Sequence, residues 1–146
     1  MNPKVINLLN RMITISVYTI YPFVLVALIL TRDERVWRVF LAPAISFILV
    51  SIFRNFVNAP RPYEVNDTKP TIKKDTKGKS FPSRHVFSVF VVASTLYFIS
   101  QPLGIVLILA GILLAFIRVI GGVHFPRDVI AGAVIGIISG VLGFYL

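Results

Sequence analysis

The amino-acid sequence predicts an all-α, integral-membrane helical bundle of about five spans, with a reactive site at one membrane face. Three observations predict it. First, 56% of the 146 residues are hydrophobic and only 14% are charged, against roughly 25% charged in a soluble domain; mean hydropathy is +0.84. Second, the few charges divide the chain into long uncharged stretches. Third, both histidines and most arginines lie at the ends of those stretches, where they can gather at one interface. The length suits a single domain over residues 1–146, with the polar segment 58–84 belonging to it.

A bilayer core of about 30 Å needs roughly 20 helical residues. Arg11 and Arg32 bracket the first candidate, 12–31. That run is long and lacks a small-residue cleavage site, so it reads as a retained helix and not a signal peptide. Arg38 and Arg54 bracket a shorter candidate, 39–53. Residues 86–117 carry no charge and would make about 48 Å of helix, too long for one crossing. Near their middle stands Ser100-Gln101-Pro102-Leu103-Gly104, and proline with glycine reads as a turn. The segment is therefore a helical hairpin, out over 86–100 and back over 103–117. Asp128 precedes the last uncharged run, 129–146. Gly132, Gly136, Gly140 and Gly143 recur along it, which points to close helix packing within the chain. Trp37, between Arg35 and Arg38, suits an interface anchor.

The hairpin has a geometric consequence. It returns Arg118 to the membrane face that holds His85, and only the short Gly121-Gly122 turn separates Arg118 from His124 and Asp128. Arg54, Arg61, Ser83 and Arg84 reach the same face through the polar segment. The N-terminus falls on that side, and Arg32, Arg35 and Arg38 on the other. The Lys-rich stretch from Asn66 to Ser80 reads either as a solvated connector or as a rim that attracts lipid head groups.

Composition removes several kinds of chemistry. No cysteine is present, so disulfides, thiolate metal sites and cysteine nucleophiles are excluded. The six acidic residues are too scattered for a carboxylate metal cage. No metal or cofactor is called for. A net charge of +9 in a membrane chain points to phosphate and lipid head groups as partners rather than nucleic acid.

Ionisable side chains at membrane depth are costly and default to functional hypotheses. Pro126 suits the first turn of the last helix, because it lacks an N–H that would go unpaired there. Asp128 then lies in that turn, favoured by the helix dipole. From there its carboxylate can hold the His124 imidazole in one tautomer and leave the other nitrogen free to attack. Ser83 is a candidate N-cap for the helix that His85 opens, and free N–H groups there suit an anion. His85 can serve as general acid for a leaving group. Arg54, Arg61 and Arg118 offer planar forks that match phosphate oxygens. Together these make the parts of a phosphoryl transfer through histidine.

At these residues the sequence resembles the type 2 phosphatidic acid phosphatase family, which shares its core with vanadium haloperoxidases. The family's first motif is Lys, six residues, then Arg-Pro; here Arg54 precedes Arg61-Pro62 at that spacing. Its second is Pro-Ser-Gly-His, here Pro82-Ser83-Arg84-His85. Its third is Ser-Arg, five residues, His, three residues, Asp; Arg118, His124 and Asp128 keep that spacing. The resemblance implies that His124 is the nucleophile, Asp128 orients it, His85 protonates the leaving group, and Arg54, Arg61, Ser83 and Arg118 bind phosphate. Arg54 stands for the family Lys and keeps the charge. Ile117 stands for the Ser before Arg118 and removes a hydroxyl. Arg84 stands for the Gly of the second motif, and reads either as an interfacial cation or as a contact to a second phosphate. Many relatives have six spans where this chain supports five.

The expected function is a metal-independent lipid phosphate phosphatase acting on a polyprenyl diphosphate, phosphatidylglycerophosphate or phosphatidic acid through a phosphohistidine. A lipid-linked phosphotransferase using the same intermediate, and a non-catalytic protein that binds anionic lipid, are the alternatives. The preponderance of cations on the site side would by itself put that side in the cytoplasm. Several of those cations belong to the chemistry, however, and the resemblance implies an extracytoplasmic site, which is the side adopted here.

Overall fold

The computed structural model describes residues 1–146. Six helices follow one another: α1 (Pro3–Leu30), α2 (Val36–Val57), the single turn α3 (Pro62–Val65), α4 (Arg84–Tyr97), α5 (Gln101–Ile120) and α6 (Pro126–Tyr145). There are no strands. Five of the six are long, in keeping with the expected bundle. Four of those (α1, α2, α5 and α6) are long and apolar enough to cross a membrane.

The fifth, α4, differs. Its 14 residues make about 21 Å, short of a bilayer core. It is instead the axis of the bundle. Every residue from Val86 to Leu96 is buried, and α6, α5, α2 and α1 all pack on it. A helix apolar on all sides has no face to give to water. Phe87, Val89, Val91 and Leu96 form the centre of the main core with Val39, Leu107, Leu114 and Phe144. The outer helices turn large apolar side chains outward, among them Phe23, Ile48, Phe56, Leu109 and Phe116. A soluble protein would not expose such a belt; lipid is its natural solvent. The protein is a multi-pass membrane protein.

Two boundaries differ from the sequence expectation. The first helix starts at Pro3 and not after Arg11, because Asn2 caps it by accepting a 2.9 Å bond from the Lys4 amide. The hairpin turns over Phe98–Ser100, ahead of the expected Pro102 and Gly104. Pro102 lies in the first turn of α5, where its missing N–H costs nothing. Gly104 is a contact residue: a Cβ there would stand 2.4 Å from Tyr97 Cα.

The glycine run of α6 is packing within the chain, as its spacing suggested. A Cβ at Gly132 would stand 2.7 Å from the carbonyl of Ser83, the residue that precedes α4, and one at Gly136 or Gly140 would meet α4 itself at 2.8 and 2.6 Å. This close approach fixes the register of the two helices. One turn before Gly132, the Ser83 amide donates to the Asp128 carbonyl at 2.8 Å. The starts of α4 and α6 are thereby locked together. At the same end lie the C-termini of α2 and α5 and the N-terminus of α1. The Asn7 amide group donates to Thr71 O at 3.0 Å. At the far end, Arg35 pairs with Asp33 at 2.7 Å and donates to Phe98 O.

Candidate active site

The helix ends that meet at this pole enclose a polar cavity of about 230 Å³. Arg54 and Asn55 enter from the last turn of α2, and Arg61 from the residue before α3. Arg84 and His85 come from the first turn of α4, and His124 from the turn before α6. Lys74, Thr76 and Lys79 close it from the 66–80 segment. Five of the eight residues expected in the site therefore line one cavity. The other three stand immediately behind its wall.

Asp128 is one of those three. It is 0% exposed, and its Oδ2 lies 3.6 Å from His124 Nδ1. The Phe125 amide donates to Oδ2 at 2.9 Å, the expected first-turn placement. A residue not anticipated from sequence joins them. The buried Ser80 hydroxyl donates to Asp128 Oδ2 at 2.5 Å and stands 3.3 Å from His124 Nδ1. A carboxylate accepts only, so the neutral imidazole carries its proton on Nδ1, facing Asp128 and Ser80. Nε2 then has a free lone pair and makes no hydrogen bond. Burial pushes the His124 imidazole down to about 4, overriding the opposing bond from Asp128. At neutral pH it is an uncharged base.

Arg118 is the second. Its NH2 contacts His85 Nδ1 at 2.8 Å and its NH1 donates to Asn10 Oδ1 at 3.1 Å. Arginine is always a donor, so His85 accepts at Nδ1 and keeps its own proton on Nε2. Arg118 thus stands behind His85 and orients it. Ser83 is the third. It occupies the N-cap position of α4, yet its hydroxyl makes no capping bond.

Arg61 is 1% exposed and donates to Gly78 O at 2.9 Å, to Val123 O at 3.1 Å and to Lys79 O at 3.4 Å. Arg54 also donates to Lys79 O. Gly78 (φ 65°) and Lys79 (φ 53°) are both left-handed. At Gly78 the left-handed backbone favours glycine, and a Cβ would also oblige the Asn58 side chain to move, its Oδ1 lying 2.3 Å away. The Arg84 guanidinium, by contrast, makes no hydrogen bond or ion pair and lies 5.6 Å over the Phe47 ring.

Buried polar atoms are normally paired. The five that are not are Ser51 Oγ, Arg54 Nε, Ser83 Oγ, Arg118 Nε and Asp128 Oδ1. All belong to the cavity or to the residues directly behind it. Four of them, the Ser51 and Ser83 hydroxyls and the Nε–H groups of Arg54 and Arg118, can donate, a set suited to a tetrahedral oxyanion. No three His, Asp or Glu side chains group as metal ligands.

Ser80, Lys74, Asn10 and Asn55 escaped sequence reasoning. Only the Lys-rich character of the 66–80 segment hinted at Lys74, and nothing local marked Ser80.

Known proteins resemble this chain in sequence and fold. The model of the PAP2 superfamily matches residues 35–146, which contain every residue of the site but Asn10. Undecaprenyl-diphosphatase BcrC of Bacillus subtilis is 34% identical over 85 residues, 58% of this chain and 44% of that protein. The bacitracin transport permease protein BcrC of Bacillus licheniformis is 25% identical over 120 residues, 80% of this chain and 59% of that protein. The chain thus spans about half the length of these relatives. The crystal structure of Aquifex aeolicus LpxE superposes with a TM-score of 0.74 at 30% identity, covering 99% of this chain and 93% of that one. A transmembrane PAP2-type phosphatidylglycerolphosphate phosphatase from Bacillus subtilis shares the fold, with a TM-score of 0.76 at 18% identity over 98% of this chain and 75% of that one. With its three motifs converging on one cavity, the chain belongs to the PAP2 superfamily.

Proposed function

We propose that the protein is a membrane lipid phosphatase that hydrolyses a polyprenyl diphosphate through a phosphohistidine at His124. One observation carries this reading: His124 turns Nδ1 to Asp128 and Ser80 and leaves a neutral Nε2 in the wall of a cavity lined by arginines. A nucleophile, its orienter and a cationic cradle are the parts that phosphoryl transfer needs.

The lone pair of Nε2 attacks the outer phosphorus. The bond from that phosphorus to the bridging oxygen breaks, and the lipid monophosphate departs with the electron pair. Nε2–H of His85 hydrogen-bonds the departing oxygen. Positive charge appears on the phosphorylated imidazole, where Nδ1–H faces the Asp128 carboxylate. Water then attacks phosphorus, and the N–P electron pair returns to Nε2. Both water protons leave with the phosphate as dihydrogenphosphate, and His124 is neutral again.

His85 favours the diphosphate over a phosphomonoester. A monoester expels an alkoxide, which needs a whole proton. His85 can give one readily only as an imidazolium, and Arg118 donating to Nδ1 works against that state. A lipid phosphate is a stable anion and needs only a hydrogen bond. The unpaired guanidinium of Arg84 at the cavity supports the same choice. An apolar cleft of about 340 Å³ beside the site, lined by Phe90, Ile112, Phe116, Val119, Pro126 and Val129, suits the lipid tail. The relative named as an undecaprenyl-diphosphatase agrees with this substrate class. The site faces the extracytoplasmic side in this proposal.

The test is phosphate release from farnesyl diphosphate by purified protein in detergent. His124→Ala should lower turnover by about 10³-fold or more, since the other imidazole in the cavity, His85, has Nδ1 occupied by Arg118 and its proton on Nε2. A variant that keeps a tenth of wild-type turnover would overturn the phosphohistidine.

A further inference from the structure

Five lysines crowd the segment between Asn66 and Ser80. Two neighbours among them point to opposite places. Lys73 shares an outer cleft with Lys4, Asn7 and Arg11 of α1. Lys74 lines the catalytic cavity with Arg54, Arg61, Arg84, His85 and His124.

That placement is built, because the segment is fastened on both sides of Lys74. Before it, the Thr71 and Ile72 amides donate to Gly121 O at 3.0 and 3.3 Å. Ile72 is buried against Ile6, Ile117 and Val123, and Thr71 O accepts from Asn7. After it, Thr76 O accepts from the Tyr63 hydroxyl, and the Gly78 amide donates to Glu64 Oε2 at 2.9 Å. A long flexible side chain is thus held over the site by backbone anchors on either side.

We propose that Lys74 is a specificity-determining residue that reads the phosphate that is not transferred, so that the site prefers a lipid diphosphate to a lipid monophosphate. The proposal rests on the phosphatase reading above. His124 with Arg54, Arg61 and Ser83 serves the phosphoryl group that is transferred. A second phosphate brings further negative charge to the same cavity. Lys74, Lys79 and Arg84 line it with side chains that make no hydrogen bond or ion pair, and of the three only Lys74 is half-buried, the other two being exposed. No carboxylate lies within ion-pair distance of Lys74. The ionisable groups around it are Arg54 of α2, Arg61 ahead of α3, Lys79 of its own segment, Arg84 and His85 of α4, Arg118 of α5 and His124 ahead of α6, with Lys73 and Asp75 beside it in sequence. Burial, then repulsion from Arg61, Arg118, Arg54 and Arg84, pushes its ammonium down to about 8. A lysine in such surroundings gains from a bound anion.

The experiment compares farnesyl diphosphate with farnesyl monophosphate, reading phosphate release from full-length protein in detergent. Lys74→Gln should lower kcat/KM for the diphosphate about 10- to 100-fold, as for a lost charged contact, and that for the monophosphate less than about threefold. Because kcat/KM reports the free enzyme, wild-type activity on the diphosphate should fall as pH rises through about 8, where Lys74 loses its proton. Lys74→Arg should keep most activity and remove that fall, since arginine stays protonated. Lys73→Gln should match wild type on both substrates. Equal losses on both substrates, or an unchanged alkaline limb in Lys74→Arg, would overturn the assignment. Wild-type protein that releases phosphate from neither substrate would overturn the phosphatase reading, and this one with it.

Discussion

Removing one hydroxyl tests the support of the proposed nucleophile. Ser80 is fully buried, and its Oγ bonds Asp128 at 2.5 Å beside His124 Nδ1. In Ser80→Ala the carboxylate keeps one strong donor, the Phe125 amide at 2.9 Å. Its Oδ1 makes no hydrogen bond and has only the exposed Arg127 guanidinium, 3.7 Å away. Hydrogen bonds to charged groups contribute about 1.5–3 kcal/mol. If that loss appears in the orientation of His124, kcat falls roughly 10- to 150-fold. KM for farnesyl diphosphate should change little, because Ser80 does not touch the cradle. A second readout separates positioning from mere folding. Having lost one donor, Asp128 accepts more strongly from Nδ1–H and so favours the protonated imidazole. In the proposed mechanism His124 must be neutral to attack, so activity should fall as pH drops through its pKa, about 4 in wild type. In Ser80→Ala that acid limb should move to higher pH. Phosphate-release kinetics across pH, with thermal midpoints by circular dichroism, measure both effects. A kcat within twofold of wild type and an unmoved acid limb would refute the reasoning.

Two other predictions concern the frame and the orientation. In Gly136→Ala the new Cβ meets Phe87 O, Phe90 Cβ and Val91 N at 2.8–2.9 Å, two of them backbone atoms that cannot step aside. The expected loss is about 1–3 kcal/mol, seen as a thermal midpoint several degrees lower; an unchanged midpoint would mean that α4 and α6 are not so closely apposed. The chain has no cysteine, so single cysteines report sidedness cleanly. A membrane-impermeant maleimide on intact cells should label Asp75→Cys near the site and spare Glu34→Cys at the far end; the reverse pattern would put the site in the cytoplasm.

What was legible in the sequence is what helices encode. Arg54, Arg61, Ser83, His85, His124 and Asp128 meet because a helical hairpin and alternating spans bring their helix ends to one pole, and uncharged run lengths reveal that. The α6 glycines were legible for a similar reason, since a four-residue repeat puts them on one face. Ser80 and Lys74 were not. They lie in irregular chain whose course depends on remote partners: Ser80 N to Ala59 O, Thr71 N to Gly121 O, and Gly78 N to Glu64. No local period encodes such bonds. The aim of Arg118 was hidden too. Spacing places its Cα at the site, but Asn10, on a helix more than 100 residues away in sequence, helps turn its guanidinium onto His85.

The arginines also show how so much positive charge is held together without being cancelled. The Arg61 guanidinium meets no carboxylate within ion-pair distance; only its backbone amide reaches one, Glu64 Oε2 at 2.8 Å. Of its five N–H donors, at least three go to the carbonyls of Gly78, Lys79 and Val123. Those carbonyls belong to the segment that leads to Ser80 and to the residue before His124. Arg61 therefore fastens the Ser80 segment to the His124 turn. Backbone carbonyls satisfy a guanidinium's donors but carry no net charge, so its full positive charge remains available to the cavity. A carboxylate in their place would satisfy the same donors and weaken the attraction for phosphate. Arg54, which shares Lys79 O with Arg61, keeps Nε unpaired. Arg61 thus serves framework and field at once, and its truncation would lower stability and phosphate affinity together. Arg54 and Arg84 are the positions where substitution separates the two.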